Sequence, residues 1–248
     1  MYVWESADLL AQQRAGKDVL GKLKAARFNR LLLSLNADQI RLAAKNGGQI
    51  RQFLQQAHAR DIQVELLLGD PHWILPENRP GLLETVEKLK DYAFDGLHLD
   101  LEPEQLDLYK KRPGYVIAEL IHTLQLVKSA SSWPVSLSTH YRNLKGRSGK
   151  ACLGCGLENI GLKELTLMIY VANPERVVEI ARPIMKAWPG LRISIAQSVE
   201  PFLPKEETLW DKNRERLMES AGRVAASLRD GNFSSMVIQS WSYYRKMM

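Results

Sequence analysis

The chain has 248 residues, of which 45% are hydrophobic and 25% are charged, an ordinary globular composition. No apolar run approaches the roughly 18 residues that span a membrane, and the N-terminal residues lack the basic and apolar regions of a signal peptide. A cytoplasmic protein and a domain of a longer secreted protein both fit these observations. Lys and Arg total 34 against 28 Asp and Glu. Because the positive charges are scattered, we expect no nucleic-acid partner.

Short runs of β-branched and apolar residues alternate with helical patterns along the chain. The strand-like runs are Tyr2–Glu5, Arg30–Leu35, Gln63–Gly69, Gly96–Glu102, Pro134–His140, Glu164–Val171, Leu191–Ser198 and Ser235–Ser242. The helical patterns are Leu9–Ala26, Gln39–Ala59, Leu82–Tyr92, Ile117–Val127, Val177–Trp188 and Leu209–Leu228. Such alternation predicts a parallel sheet, because parallel neighbours need a crossover connection.

Eight strand-helix units in about 250 residues match the α/β fold known as the (β/α)8 TIM barrel. We therefore predict a single barrel domain over residues 1–248. The fifth unit is the weakest, since only a short helical candidate near Leu157 follows His140. A doubly wound open sheet is the alternative, but no Gly-rich phosphate-binding sequence follows any strand.

The loop of the fifth unit holds the densest basic stretch and both cysteines. The basic residues of 141–150 are Arg142, Lys145, Arg147 and Lys150. A solvated loop is the favoured interpretation, with a loop that binds an acidic polymer as the alternative. Cys152 and Cys155 lack the second cysteine pair or spaced histidines of a zinc site. We expect no metal and no cofactor, and either a local disulfide or two free thiols.

The fourth strand-like run carries polar groups where a purely structural strand would carry apolar ones. Side chains alternate between the two faces of a strand, so His98, Asp100 and Glu102 share one face and the intervening leucines share the other. A row of such groups is costly to bury unless its members bond one another or face a wet cleft. Such rows are typical of sites that carry out chemistry.

The spacing of this run resembles the hallmark of the family 18 glycoside hydrolases, the chitinase-like enzymes. Their fourth barrel strand ends in Asp-x-x-Asp-x-Asp-x-Glu. Asp95, Asp100 and Glu102 match three of these positions, and His98 stands where the family has its second Asp.

Two further strand ends extend the resemblance. Met168-Ile169-Tyr170 matches the Met-x-Tyr of the sixth strand, although Val171 replaces the Asp that follows there. Trp241 fits the Trp at the end of the eighth strand. The Ser-x-Gly-Gly usual at the third strand is absent, and Leu68-Gly69-Asp70-Pro71 stands in its place.

The resemblance implies a glycosidase that cleaves an oligo- or polysaccharide containing N-acetylhexosamine. Glu102 would protonate the glycosidic oxygen while the acetamido group of the substrate attacks the anomeric carbon. Asp100 would orient that group and raise the pKa of Glu102, and Tyr170 would contact it. Trp241 would form the floor of the central sugar subsite. His98 could still hydrogen-bond Asp100 and, as a cation, would hold it ionised; a core histidine bonded to its structural neighbours is the alternative interpretation.

Polar and aromatic residues follow the strand-like runs, at the end where barrels of this type carry their active sites. Aromatic rings stack on the apolar faces of sugars, and polar side chains bond the hydroxyls, although a Trp at a strand end often only packs. The substrate-binding candidates are Glu5, Asp70, Trp73, His98, His140, Asn173, Gln197, Glu200 and Trp241.

Two other functions remain open. Glu102 and Glu200 fit a retaining glycosidase, whose two carboxyl groups lie about 5 to 5.5 Å apart, although Leu101 stands where such enzymes usually carry Asn. A catalytically silent carbohydrate-binding barrel also fits, because fold does not fix function. A metal-dependent hydrolase is disfavoured, because no His-x-His or His-Glu-x-x-His spacing occurs.

Overall fold

The computed structural model describes residues 1–144 and 152–247. Its strands are β1 (Tyr2–Val3), β2 (Arg30–Ser34), β3 (Gln63–Leu68), β4 (Gly96–Asp100), β5 (Val135–His140), β6 (Glu164–Met168), β7 (Ile193–Ser198) and β8 (Phe233–Gln239). These eight strands pair in chain order, all parallel, in one sheet. The sheet curls until β8 lies beside β1, which nearly closes a barrel. The predicted (β/α)8 barrel is confirmed, and the open doubly wound sheet is wrong.

Helices connect successive strands and pack on the outside of the sheet. They are α1 (Ser6–Arg14), α2 (Val19–Ala25), α3 (Ala37–Asn46), α4 (Gly48–His58), α5 (Arg79–Leu89), α6 (Asp107–Lys111), α7 (Pro113–Ala130), α8 (Leu153–Ile160), α9 (Pro174–Ala187), α10 (Arg214–Leu228) and α11 (Trp241–Tyr244). None of the helices in the described ranges is long and apolar enough to cross a bilayer.

Two predicted helical stretches are each divided in two by a glycine. Gly16 takes a φ of +79°, which ends the first stretch between α1 and α2. Gly47 separates α3 from α4, and a Cβ there would fall 1.4 Å from the Tyr92 hydroxyl oxygen. The outer layer therefore has shorter helices than the periodicity predicts.

The fifth unit contains the short helix expected near Leu157, α8, and a disulfide. Cys152 and Cys155 are joined across the first turn of that helix. Of the two states left open by the sequence, the disulfide is the one found. The predicted basic loop lies, from residue 145, outside the described residues.

The two faces of the strands pack against different surroundings. Leu97, Leu99 and Leu101 are fully buried in the core between the barrel and its helices. The apolar cluster inside the barrel is much smaller and consists of Tyr2, Leu32, Leu67, Met168, Ala196 and Val237. The predicted division of the fourth strand into two faces is confirmed, and much of the barrel interior is polar.

A buried charge network fills the end of the barrel where the strands begin. Arg30 Nη2 lies 2.6 Å from Glu164 Oε1, and Arg30 Nη1 lies 3.6 Å from Glu65 Oε1. Lys163 Nζ donates to the same Glu65 oxygen at 2.8 Å. Burial raises the pKa of Glu65, but His98, Arg30 and Lys163 outweigh it and hold the value at about 2. The network ties β2, β3 and β6 together through the interior.

Glu65→Gln should lower the free energy of unfolding by about 3–5 kcal/mol, because it removes the carboxylate that compensates Arg30 and Lys163. Urea denaturation followed by circular dichroism measures the loss. Glu175→Gln is the control, since its ion pair with Arg223 is more than half exposed and should contribute less than about 1 kcal/mol. Equal effects of the two substitutions would contradict a structural role for the network.

Candidate active site

Two carboxyl groups stand where β4 ends. Asp100 is the last residue of the strand, and Glu102 keeps extended dihedrals, with φ −95° and ψ 98°. The alternation of side chains therefore continues past the strand, and both groups lie on the interior side. Asp100 is only 9% exposed, and its Oδ1 has no hydrogen-bond partner among the described residues. Glu102 is half-buried and accepts a hydrogen bond from Gln105 Nε2 at 2.5 Å.

A third carboxylate, Glu104, joins this pair. Asn143 Nδ2 donates to Glu104 Oε2 at 3.0 Å and to Thr139 Oγ1 at 3.1 Å. The Tyr109 hydroxyl donates to Asn143 Oδ1 at 3.2 Å, which fixes the amide. Sequence reasoning missed Glu104, although it lies two residues beyond Glu102, at the same spacing that separates Asp100 from Glu102.

The pKa values of Asp100 and Glu102 are raised because these groups are partly buried and lie close to other carboxylates. Burial, followed by the charges of Glu102 and Glu104, raises the pKa of Asp100 to about 8. Burial, followed by the charge of Glu104, raises the pKa of Glu102 to about 7. The pKa of Glu102 is raised, as predicted, but the carboxylate that raises it is Glu104 instead of Asp100.

Tyr170 lies just after β6 and faces the same space. Burial, then the charges of neighbouring groups that include Asp100, Glu200 and Glu102, raises the pKa of its hydroxyl well above the ordinary value. The carboxylates of β4 and of the loop after β7 are therefore within electrostatic range of one phenol. Tyr170 remains a neutral hydrogen-bond donor at physiological pH.

His98 lies deeper than predicted and does not bond Asp100. Its side chain is fully buried, its Nε2 bonds Ser138 Oγ at 2.7 Å, and its Nδ1 lies 3.5 Å from Glu65 Oε2. Ser138 in turn bonds the Tyr2 hydroxyl. Burial is the largest influence on the pKa of His98 and lowers it, while Glu65 acts in the opposite direction. The predicted hydrogen bond to Asp100 is a correction, and the buried contacts fit the alternative of a core histidine. His98 links the charge network to the base of the site instead of lining the cleft.

Trp241 is predicted to present its indole at this end of the barrel, but Trp241 is buried and the partly exposed Trp4 lies there instead. β8 ends at Gln239, before the predicted end at Ser242, and Trp241 opens α11. Helical residues do not keep the alternation of a strand, and Trp241 packs in the outer core with 8% exposure. Its predicted place as the floor of a subsite is therefore a correction.

Trp4 is partly exposed, follows β1, and lies between the end of β8 and the residue that follows β3. Its indole nitrogen donates to Gln239 Oε1 at 3.1 Å. A Cβ on Gly69 would lie 2.7 Å from Trp4 Cη2, so the glycine leaves room for the ring. A usable signal was present in the sequence, since Trp4 stands near the end of the first strand-like run, Tyr2–Glu5, beside the candidate Glu5.

Two predicted binding residues brace the backbone instead of facing the cleft. Gln197 is 1% exposed, and its Nε2 donates to the carbonyls of Ile169 at 2.7 Å and Val171 at 3.3 Å. Asn173 caps α9, because its Oδ1 accepts from the Arg176 amide at 2.8 Å. Gln197 Nε2 and Asn173 Oδ1 are therefore bonded to the backbone around Tyr170, whereas Gln197 Oε1 is buried without a hydrogen-bond partner among the described residues.

Glu200 is half-buried at the end of β7. Ser198 Oγ donates to its Oε2 at 3.0 Å. Burial raises the pKa of Glu200, and its hydrogen bonds to Ser198 and Gln239 offset this only in part. Gln239, at the end of β8, therefore contacts Trp4, which follows β1, and Glu200, which follows β7.

Two other candidates lie in the loops around the mouth. Glu5 is exposed and accepts a hydrogen bond from Ser242 Oγ at 3.3 Å. Asp70 Oδ1 accepts from the His72 amide and faces its ring Nδ1, each at 2.9 Å. Both carboxylates retain exposed surface that a ligand could reach.

The last two candidates are occupied by local contacts. Trp73 packs against the outer core, and its carbonyl accepts from Thr123 Oγ1 at 3.4 Å. His140 stacks on Tyr141 with 4.7 Å between ring centroids, and its Nδ1 accepts from the Arg142 amide at 3.2 Å. Within residues 1–144 and 152–247, no group of three or more His, Cys, Asp or Glu is arranged to hold a metal ion.

Comparison with known proteins shows similarity in fold alone. No protein-family model and no curated protein matches the sequence. A GH18 chitinase from Pseudoalteromonas aurantia has a similar structure, with a TM-score of 0.59 at 11% identity over 96% of this chain and 91% of that one. The PgaB (BpsB) glycoside hydrolase domain from Bordetella bronchiseptica gives 0.60 at 12% identity, over 95% of this chain and 90% of that one.

Other barrels are similar to a lesser degree. The GH113 beta-mannanase AaManA from Alicyclobacillus acidocaldarius has a TM-score of 0.55 at 11% identity, over 96% of this chain and 82% of that one. A D-psicose 3-epimerase has a TM-score of 0.54 at 10% identity, over 88% and 76%. The predicted resemblance to a chitinase-like barrel of divergent sequence is confirmed as a resemblance of fold.

Glu104→Gln should lower the pKa of Glu102 below about 7, because it removes the negative charge that disfavours ionisation and leaves only burial. Titration of the carboxyl carbons by NMR measures the shift. The amide oxygen of the new side chain can still accept from Asn143, so the local structure should persist. Asp107→Asn, which alters an exposed carboxylate, is the control. An unchanged pKa in Glu104→Gln would contradict the coupling.

Asp100→Asn should stabilise the protein more at pH 8 than at pH 4. The folded pKa of about 8 exceeds the ordinary value of 3.8, so folding requires proton uptake between these pH values. The stability contributed by this group is therefore fully present below about pH 4 and is lost as the pH rises toward 8. Asn does not titrate and avoids the loss. Melting temperatures measured across this range test the difference, and a gain independent of pH would refute it.

Proposed function

We propose that this protein is a glycoside hydrolase acting on glycans that contain N-acetylhexosamine, with Glu102 as the general acid. The observation that carries the proposal is the carboxyl pair at the end of β4. Glu102 is half-buried with a pKa of about 7, beside the nearly sealed Asp100. A general acid must keep its proton near the working pH and still reach the substrate. The similar folds of a chitinase and a glycoside hydrolase domain support this assignment.

In the proposed reaction Glu102 gives its proton to the glycosidic oxygen as the bond to the anomeric carbon breaks. The acetamido oxygen of the substrate forms the new bond to that carbon, which yields an oxazolinium ion. Water then attacks the anomeric carbon, the oxazolinium opens, and the proton of the water returns to Glu102. The route needs only one protein acid, in contrast to the two-carboxylate mechanism.

Asp100 and Tyr170 would hold the acetamido group. While Glu102 keeps its proton, one of the charges that disfavour ionisation of Asp100 is removed. A carboxylate at Asp100 could then accept the acetamido N–H through its unpartnered Oδ1 and stabilise the positive oxazolinium. The neutral Tyr170 hydroxyl would donate to the acetamido oxygen. Trp4 would support the apolar face of the same sugar.

A second candidate mechanism uses Glu200 as a nucleophile. Its favouring observation is that the charge of Glu200 acts on Tyr170, as those of Asp100 and Glu102 do. Against it, Asp100 and Glu102 lie two residues apart on one face of β4 and the residues after it, whereas Glu200 lies in the loop after β7. We therefore favour the acetamido route.

Glu102→Gln should reduce hydrolysis of N-acetylglucosamine oligomers by roughly 10² to 10⁴, because it removes the proton donor and keeps the shape. Initial rates with reducing-end detection measure the loss, and unfolding curves should stay unchanged. Glu175→Gln, an exposed carboxylate on α9, is the control and should retain full activity. A fully active Glu102→Gln variant would remove this residue from the acid role.

Glu200→Gln distinguishes the three candidate functions. The acetamido route predicts nearly full activity and no hydrolysis of glycans that lack an N-acetyl group beside the anomeric carbon. Loss of activity comparable to that of Glu102→Gln, together with cleavage of such glycans, would support the two-carboxylate mechanism. A parent protein that cuts no glycan, while oligosaccharides change its tryptophan fluorescence, would be a silent binding barrel.

A further inference from the structure

The two cysteines of the chain lie at the start of a helix. Cys152 is the residue before α8, and its disulfide joins it to Cys155 in the first turn. The Cys155 amide donates to Cys152 Sγ at 3.3 Å. Both residues are partly exposed at the edge of the outer core. A Cys-x-x-Cys pair at the N-terminal end of a helix is the arrangement of dithiol–disulfide exchange sites.

The disulfide joins no distant parts of the molecule. The two cysteines are only three positions apart in sequence and belong to one helical turn. A cross-link stabilises a fold mainly by restricting the unfolded chain, and this effect becomes smaller as the closed loop becomes shorter. The loop closed here is among the shortest that a disulfide can close, so stabilisation gives this bond a poor reason to exist.

Packing holds α8 in place independently of the disulfide. The backbone at Gly154 lies directly against the Trp188 indole, and the backbone at Gly156 lies directly against Ile121, so that a Cβ at either glycine would clash. Leu157, one turn further along the helix, is fully buried. The helix can therefore keep its position when the sulfur–sulfur bond opens, which a reversible redox centre requires.

The position of Cys152 favours its thiolate once the bond is reduced. Its sulfur lies at the N-terminal end of an eight-residue helix, where the helix dipole stabilises negative charge. The Cys155 amide already donates to this sulfur and can donate to the thiolate as well. Thiolates, and not thiols, attack disulfides, so Cys152 is the better placed nucleophile of the two.

We propose that Cys152 and Cys155 form a redox-active centre that reduces a disulfide in a substrate, an activity separate from the proposed hydrolase. The Cys152 thiolate attacks one sulfur of the substrate disulfide, which forms a mixed disulfide and expels one substrate thiolate. The Cys155 thiolate then attacks Cys152 Sγ, closes the internal disulfide and expels the second substrate thiolate. Two electrons pass to the substrate, whose thiolates take up the two protons that the cysteines release, and a thiol reductant restores the pair.

Equilibration with glutathione tests the centre in the folded protein. The parent protein is incubated in mixtures of glutathione and glutathione disulfide, free thiols are alkylated, and mass spectrometry measures the reduced fraction. We expect one two-electron transition while the circular dichroism spectrum stays unchanged. A pair that remains oxidised until urea unfolds the chain would be a structural disulfide and would overturn the proposal.

Two matched substitutions identify the nucleophile. Cys155→Ser should accumulate one glutathione on Cys152, because no second thiolate is present to release it. Cys152→Ser should react with glutathione disulfide about 3-fold more slowly at neutral pH, since its remaining thiol lacks the position at the helix end. Equal rates for the two variants, or a faster reaction at Cys155, would overturn the assignment of Cys152 as the nucleophile.

Reduction of insulin by dithiothreitol distinguishes a protein disulfide from a small one as the substrate. If the substrate is a protein disulfide, the parent protein should accelerate the precipitation of insulin chains. If glutathione disulfide exchanges but insulin reduction is not accelerated, the substrate is a small disulfide. The variant that carries both Cys152→Ser and Cys155→Ser is the control and should react with neither. A parent protein that matches this control in both assays would overturn the redox centre and leave the proposed hydrolase untouched.

Discussion

The barrel depends on keeping charged groups compensated in its interior. Arg30 lies between the carboxylates of Glu65 and Glu164, and Lys163 adds a second cation at Glu65. Such groups are tolerated in a dry interior only while each has a partner, and removing one leaves the others exposed to the full cost of desolvation. Most of the apolar material of the chain lies outside the sheet, in the core shared with the helices. The polar network is what fills the first part of the barrel.

The network extends toward the candidate site through a chain of buried polar side chains. His98 faces Glu65 on one side and bonds Ser138 on the other, and Ser138 bonds Tyr2. The Tyr2 ring lies 6.2 Å from the partly exposed Trp4. Because these contacts cross from β4 to β5 and β1, they hold the strand ends in register beneath Asp100. The base of the site is therefore formed by buried, interacting side chains, and the partly exposed Glu102 and Trp4 lie above it.

The pKa values of carboxyl side chains are shifted in opposite directions at the two ends of the barrel interior. Glu65, surrounded by cations and His98, has its pKa lowered to about 2. Glu102, partly buried beside Glu104, has its pKa raised to about 7, and Asp100 reaches about 8. The Glu65 carboxylate is thus an anion of the structural network, whereas Asp100 and Glu102 keep their protons near neutral pH. The separation by environment would allow one fold to hold both a structural carboxylate and the proton donor of the proposed reaction.

Regular alternation explains which parts of the molecule the sequence could predict. It located the eight strands and the shared face of Asp100 and Glu102, because both follow from local periodicity. It failed for Trp241, because the chain there is already helical and the alternation of a strand no longer holds. It also failed for Gln197, because its side chain donates to a backbone carbonyl instead of facing the cleft. The partners of His98 could not be read either, since Glu65 and Ser138 lie far away in the sequence.

The most direct test of the account is a crystal structure with an N-acetylglucosamine-derived thiazoline, which mimics the oxazolinium. Ligands that resemble a transition state bind roughly 10² to 10⁸ more tightly than substrate, so occupancy should be high. We expect the thiazoline ring between Asp100 and Tyr170, with Glu102 facing the anomeric carbon and the sugar face on Trp4. A ligand bound elsewhere, or with its anomeric carbon against Glu200 and its ring away from Asp100, would contradict the account.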